Sequence, residues 1–235
     1  MSKIKKLVLF LVEGITDKVA LEAIVSNLFD FSTTDIKITY GDITYKDHVT
    51  SQTVVEEVGN LITDFIKNEH YLPEDILRII HIIDTDGAFI PKNNIIQSDD
   101  GNLVYDAEFI KCKNVEYFEK RNNKKLALIQ RLVGKRKIAN IPYQLYFFSR
   151  NMEHVFHDVS EELTDAEKMK LADLFTDTYC DDTNEFLKLL NDPKIAVQGT
   201  YSDTWKFIFK DTNSLKRYSN FHLAFKQNDA TNSND

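Results

Sequence analysis

A chain of 235 residues is long enough for one sizeable core with a peripheral subdomain and short for two independent domains. Its formal charge of -8 argues against a surface that binds nucleic acid all over, and its two cysteines, Cys112 and Cys180, stand in no CxxC spacing, which argues against a disulfide framework or a zinc ribbon. The charge is uneven: residues 111–137 hold ten Lys/Arg against Glu116 and Glu119, whereas 151–192 hold twelve Asp/Glu against Lys168, Lys170 and Lys188, so a local basic face is expected.

Residues 6–12, rich in Val, Leu and Phe, suit a strand covered on both faces, as in a parallel sheet. The run is far below the roughly 20 residues that span a bilayer and ends in Glu13, not in a small-residue cleavage site; the expectation is a soluble, cytoplasmic protein with no membrane contact. Thr16 is placed to cap a helix over 17–29, with Ala20, Leu21, Ile24, Val25 and Leu28 as its apolar stripe. Residues 36–40 alternate as a strand, and Val54, Val58, Leu61, Ile62, Phe65 and Ile66 mark an amphipathic helix that must end before Pro73. Residues 77–83 form another buried strand, ending in Asp84-Thr85-Asp86-Gly87. Strand, helix, strand, helix, strand implies right-handed crossovers and an α/β fold, a mostly parallel sheet flanked by helices.

After Gly87 the regularity weakens through Pro91, Asn93, Asn94 and the turn cluster 98–102, which predicts an insertion around 90–137. It closes with a basic helix whose apolar side is Leu126, Ile129, Leu132 and Val133. Residues 143–148 predict a fourth strand, completing a core over 1–150. Thr164 and Glu167 have capping-box spacing and open a helix to about residue 178; another covers 184–190. Residues 151–226 therefore read as a mostly helical C-terminal subdomain, and the polar segment 227–235 as a disordered tail. Trp205, Phe207 and Phe209 alternate, a pattern read as core packing.

Ligands of open parallel sheets bind at the carboxyl ends of the strands, where Glu13 and the Asp84/Asp86 pair both fall. In an extended segment Asp84 and Asp86 project to one side, and Gly14 and Gly87 let the backbone turn beyond each acid. Carboxylates within about 4 Å repel by several kcal/mol per pair even at an effective dielectric near 20, so a cation must compensate. Oxygen-only donors suit Mg²⁺ or Mn²⁺ better than Zn²⁺. The plainer alternative is that the two aspartates merely end a strand in a turn. Glu153 is a candidate further acid of the same metal site, and Glu153, His154 and His157 are too few for zinc. Lys124, Lys125, Lys135, Arg136 and Lys137 are the candidate phosphate-contacting residues for nucleic acid, against the alternative of an ordinary charged helix face.

A strand ending in Glu-Gly, an ExxxD spacing from Glu13 to Asp17, then helix, strand, helix and a strand ending Asp-Thr-Asp resembles the TOPRIM domain, over about residues 4–90. That domain occurs in topoisomerases, bacterial primases, small ribonucleases and overcoming-lysogenization-defect nucleases. Residues 147–157 are similar to the strand-then-Glu pattern of RloB-like and AbiL-like phage-defence proteins, without the Pro and Trp expected around the Glu. The resemblance implies a TOPRIM-like, Rossmann-like core and metal-dependent phosphodiester chemistry. Asp84 and Asp86 would be metal ligands, Glu13 a ligand or general acid/base, and Asp17 a supporting catalytic acid. The activity implied is a Mg²⁺-dependent nuclease in anti-phage defence by abortive infection. Topoisomerases need a tyrosine from another domain, for which this length leaves little room, so hydrolysis is expected. No GxxxxGK[ST] motif is present, and any ATP dependence would come from a partner ATPase or regulatory protein.

Two rivals stand beside this reading. Asp84-Thr85-Asp86-Gly87 also resembles the first motif of haloacid-dehalogenase-type phosphatases, in which the first Asp attacks phosphorus, although that family places the motif on its first strand. The other rival is a non-catalytic TOPRIM-like module that binds nucleic acid or a protein partner.

Overall fold

Alternation of apolar side chains along extended segments, with amphipathic helices between them, sets the architecture of the computed structural model, which describes residues 6–29 and 34–226. The predicted tail 227–235 lies outside the described residues. In chain order the elements are β1 (Lys6–Val12), α1 (Ile15–Asn27), β2 (Thr34–Tyr40), α2 (Val54–Asn68) and β3 (Ile76–Asp84); β4 (Ile95–Gln97), β5 (Val104–Tyr105), β6 (Ile110–Cys112) and α3 (Val115–Val133); β7 (Lys137–Ile138) and β8 (Ile141–Ser149); and then α4 (Met152–His157), α5 (Asp165–Tyr179), α6 (Thr183–Leu190), α7 (Tyr201–Ile208) and β9 (Tyr218–Ser219).

The main sheet runs β2-β1-β3-β8-β7, with β9 also on β8. β2, β1, β3 and β8 are mutually parallel, whereas β7 and β9 pair antiparallel to the start and end of β8. The insertion builds a separate three-stranded sheet, β4-β6-β5. The protein is thus α/β, with a mostly parallel sheet flanked by helices, an arrangement compatible with a Rossmann-like fold.

Period-two alternation divides each central strand between two cores. Leu7, Leu9, Leu11, Ile79, Ile83, Leu145 and Phe147 pack against Val58 and Ile62 of α2, Leu128 and Leu132 of α3, and Trp205 of α7. Val8, Phe10, Val12, Ile80, Ile82, Tyr146 and Phe148 pack against Ala20 and Ile24 of α1, Val155 of α4, Phe175 of α5 and Phe186 of α6. Each such side chain contributes about 1.5–3 kcal/mol of burial. Residues 151–226, mostly helical, therefore supply cover to both faces of the same sheet.

One local detail differs from the expectations. α1 starts at Ile15, and its first turn is capped not by Thr16 but by Asp17, whose Oδ2 accepts a hydrogen bond from the Gly14 N–H at 2.9 Å. A carboxylate at the third helical position reaches back to the N–H before the helix, which Thr16 does not. Trp205, Phe207 and Phe209 lie in or beside α7 and pack as expected: Trp205 belongs to the core, and the partly buried Phe207 and Phe209 pack against it. The Thr164 cap is as expected: Glu167 Oε2 accepts from Thr164 N–H at 2.9 Å. Among the described residues no helix is long and apolar enough to cross a membrane.

Candidate acidic site

The four parallel strands end at one edge of the sheet, and each delivers polar residues there. Glu13 follows β1, Gly41-Asp42 follows β2, Asp84 closes β3 and Asp86 lies two beyond, and Arg150 follows β8 with Glu153 in the first turn of α4. The turn after β3 is fixed by its backbone: Thr85 N–H donates to Phe148 O at 2.9 Å and Asp86 N–H to Arg150 O at 3.0 Å. Thr85 Oγ1 donates the other way, to Ser214 O at 3.1 Å, so the two aspartates on either side of it face a common space. Asp86 and Gly87 both take positive φ, +47° and +66°. At Gly87 a Cβ would stand 2.5 Å from Leu215 Cδ2, so both conformation and space require glycine.

The shared space is a cavity of about 330 Å³ lined by Glu13, Asp17, Asp42, Asp84, Asp86, Glu153 and Lys168. The structure thus brings together all five acids picked from the sequence and adds Asp42. Glu13 Oε1 accepts from Thr44 Oγ1 at 2.7 Å, and its Oε2 faces Lys125 Nζ at 3.5 Å. Lys125 also bonds Asp86 Oδ2.

Burial dominates the electrostatics. It raises Glu13 from 4.5 to about 7, against the pull of Lys125 and with help from Asp42 and Asp86. Asp17 rises to about 7, first through burial and then through Glu153, against the Gly14 hydrogen bond. Asp84 stands well above the carboxylate range because it is desolvated and faces Asp17, Glu13 and Asp86. Burial opposes ionisation of Asp86 as well, but the charge and hydrogen bond of Lys125, with Arg121, outweigh it and hold this carboxyl below its ordinary value. Burial likewise disfavours the Lys125 ammonium, and Asp86, Glu13 and Asp84 more than reverse that.

The cavity is therefore unevenly compensated. Lys125 pairs with Glu13 and Asp86 and acts on Asp84 without bonding it, while among the described residues the cation lining the cavity itself is the partly exposed Lys168. Among the described residues no three His, Cys, Asp or Glu side chains form a ready-made ion cage. The donor chemistry nonetheless fits Mg²⁺ or Mn²⁺: hard oxygens only, on carboxyls whose ionisation is disfavoured by burial and mutual repulsion and would be favoured by a cation. Glu13, Asp84, Asp86 and Glu153, the set expected from the sequence, are the residues that would hold it, with Asp17 beside them.

The five predicted basic residues do not share a face. Lys125 is buried on the inner side of α3 and contacts carboxylates. Lys124 Nζ donates to the backbone carbonyls of Lys46 and Asp47, at 2.7 and 3.2 Å. Lys135 and Arg136 line a different cavity beside Leu77–Ile79 and Pro142–Gln144, at the starts of β3 and β8, and Lys137 opens β7 beside it. β3 has nine residues, so roughly 26 Å of strand separates that end from the acids. The cations that do stand at the acidic edge are Lys125, Lys168, Arg121 and Arg150. Arg121 Nη2 donates to Asp86 O at 2.8 Å.

Composition hid most of these. A signal for Asp42 existed, since the strand before it, like β1 and β3, is followed by an acid beside a glycine. One for Lys125 existed too: it lies three, four and seven residues before Leu128, Ile129 and Leu132, on the buried stripe of its helix. Lys168 and Arg150 carried no local signal. No protein-family model matches the chain, and comparison with curated proteins and with solved structures finds no match either.

Proposed function

We propose that the chain is a TOPRIM-like, Mg²⁺-dependent nuclease that hydrolyses phosphodiester bonds of DNA or RNA at this edge of the sheet. The observation that carries the reading is the convergence of Glu13, Asp17, Asp84, Asp86 and Glu153, from four separate elements, on one cavity. A role in anti-phage defence belongs to this reading through the likeness of residues 147–157 to the strand-then-Glu pattern of RloB-like and AbiL-like phage-defence proteins.

A divalent ion bound among these carboxylates supplies charge to a scissile phosphate and makes a nearby water more acidic. Burial raises the Glu13 carboxyl to about 7, which suits it to act as a general acid or base where the ion would sit on the neighbouring carboxylates instead. Thr44 and Lys125 fix its two oxygens and so its orientation. Lys125 also holds Asp86 ionised beside the cavity. Lys168 and the neighbouring arginines offset the acidic field that a polyanion would otherwise meet.

The test is hydrolysis of labelled DNA and RNA, beside a small phosphate monoester, by wild type, Glu13→Gln and Asp84→Asn with Mg²⁺. The reading expects polynucleotide cleavage that drops at least about 10²-fold in Glu13→Gln, the usual scale for one preorganised electrostatic group. Monoester turnover that survives Glu13→Gln, with no polynucleotide cleavage, would assign a phosphatase built on Asp84. Inactivity on every substrate would leave a binding module.

A further inference from the structure

A second cavity of about 330 Å³ adjoins the acidic one and shares Asp86, Glu153 and Lys168 with it. Its back wall is Arg150, only 5 % exposed. The guanidinium lies over the Tyr105 ring, 4.4 Å from its centroid, and Nη2 donates to Ser160 O at 2.8 Å. Nε is buried with no hydrogen-bond partner. Tyr105 is itself fixed from behind, its hydroxyl accepting from Arg121 Nη1 at 3.0 Å.

The contrast with Lys125 is the informative point. Both are buried cations, but Lys125 is matched by two carboxylates, whereas Arg150 forms no ion pair among the described residues. A buried guanidinium held by a carbonyl and a ring face is incompletely paired, and an oxyanion is the group its planar fork fits. Lys168 stands across the cavity as a second cation. The acids on this wall limit which anion fits. Asp86 is already matched by Lys125, but Glu153 and the exposed Glu161 and Glu162 remain. A terminal, doubly charged phosphate meets more repulsion here than a singly charged internal linkage.

We propose that Arg150, Tyr105 and Lys168 form a subsite for an internal phosphodiester linkage of a single nucleic-acid strand, next to the linkage that is cut. The subsite rests on the nuclease reading of the adjoining cavity, and it makes the enzyme a reader of chain, not of chain ends.

Binding of a labelled 12-nucleotide single strand, followed by anisotropy across a salt series with Ca²⁺ and again with chelator, tests it without requiring cleavage. Wild type should bind, and Arg150→Gln and Lys168→Gln should each weaken binding about tenfold, corresponding to about 1.4 kcal/mol, and lower the salt slope by about one. A nucleoside monophosphate should not displace the strand. In cleavage assays both substitutions should raise KM more than they lower kcat. Unchanged affinity and slope in the substituted proteins overturn the subsite, even if cleavage is intact. So does the failure of wild type to bind the strand, or displacement by the monophosphate. Strand binding that depends on Arg150, from a protein that cuts nothing, keeps the subsite and removes the nuclease. If Arg150→Gln does not fold, as its melting curve would show, the partly exposed Lys168 decides alone.

Discussion

Glu13→Gln removes one carboxylate from the acidic cavity at nearly constant shape, and so measures what that charge costs the folded chain. Burial outweighs Lys125 and raises the Glu13 carboxyl from 4.5 to about 7. A carboxyl with a raised folded pKa binds its proton more tightly in the folded state, so stability falls as pH climbs from about 4.5 to about 7 and is level above. That gap, at about 1.4 kcal/mol per pH unit, amounts to about 3 kcal/mol, and the side chain is 10 % exposed, so solvent screens little of it. Buried histidines act in the opposite sense: His81 is held to about 3 and His154 and His222 to about 4, which makes stability rise over the acid range. Only the difference between the two proteins isolates Glu13. Urea unfolding at pH 4, 6, 7 and 8 with chelator should show near-equal stability at pH 4 and a variant about 3 kcal/mol more stable at pH 8. For a chain of this size that is roughly 6–12 °C in Tm. Millimolar Mn²⁺ should narrow the gap, because wild type gains more from it. Curves that stay parallel across pH, or a variant weaker at pH 8, would refute the reasoning.

Lys125→Met should destabilise the fold by about 3 kcal/mol at pH 7, the low end for breaking a buried pair because the Asp86 side chain is 36 % exposed. Since Lys125 is raised and Asp86 lowered, the contribution is present from about pH 4 to about pH 10 and lost on either side, which denaturation at pH 3 and pH 7 checks. Gly87→Ala puts a methyl against Leu215 and Ile110 at positive φ and should cost about 1–3 kcal/mol, read as a lowered Tm together with slower cleavage as Asp86 shifts. Replacing Lys135, Arg136 and Lys137 together by Gln should leave the salt slope of nucleic-acid binding unchanged, since they lie at the far end of β3; a flattened slope would show that the strand reaches there.

The alternating and continuous apolar runs made β1, β2, β3 and β8 legible, because in a sheet covered on both faces nearly every strand residue must be apolar. The ends of those strands then located Glu13, Asp84 and Asp86, and Asp84 and Asp86 do face one cavity, although Asp86 already lies in the turn at positive φ and not in extended backbone. What was not legible came from tertiary pairing. Lys125 reads as one more charge in a basic stretch, and only α3 packing on the sheet turns it inward to Glu13 and Asp86. Arg150 and Lys168 reach the same edge from β8 and α5, elements whose local sequence says nothing about their neighbours. The insertion was expected as an irregular excursion; its small sheet formed because Ile95, Ile110 and Cys112 close a third apolar cluster with Leu215, far along the chain.

The most direct measurement is the single-turnover cleavage of end-labelled DNA and RNA by wild type and Asp84→Asn, each with Mg²⁺ and with chelator. Asp84 closes β3 inside the cavity, where burial, Asp17, Glu13 and Asp86 disfavour its charge, so a cation there would favour its ionised form. The account predicts cleavage by wild type that requires the ion, stops with chelator and resumes on adding excess Mg²⁺, and is lost in a folded Asp84→Asn. Cleavage that ignores the chelator, or that persists in Asp84→Asn at the wild-type rate, would contradict it.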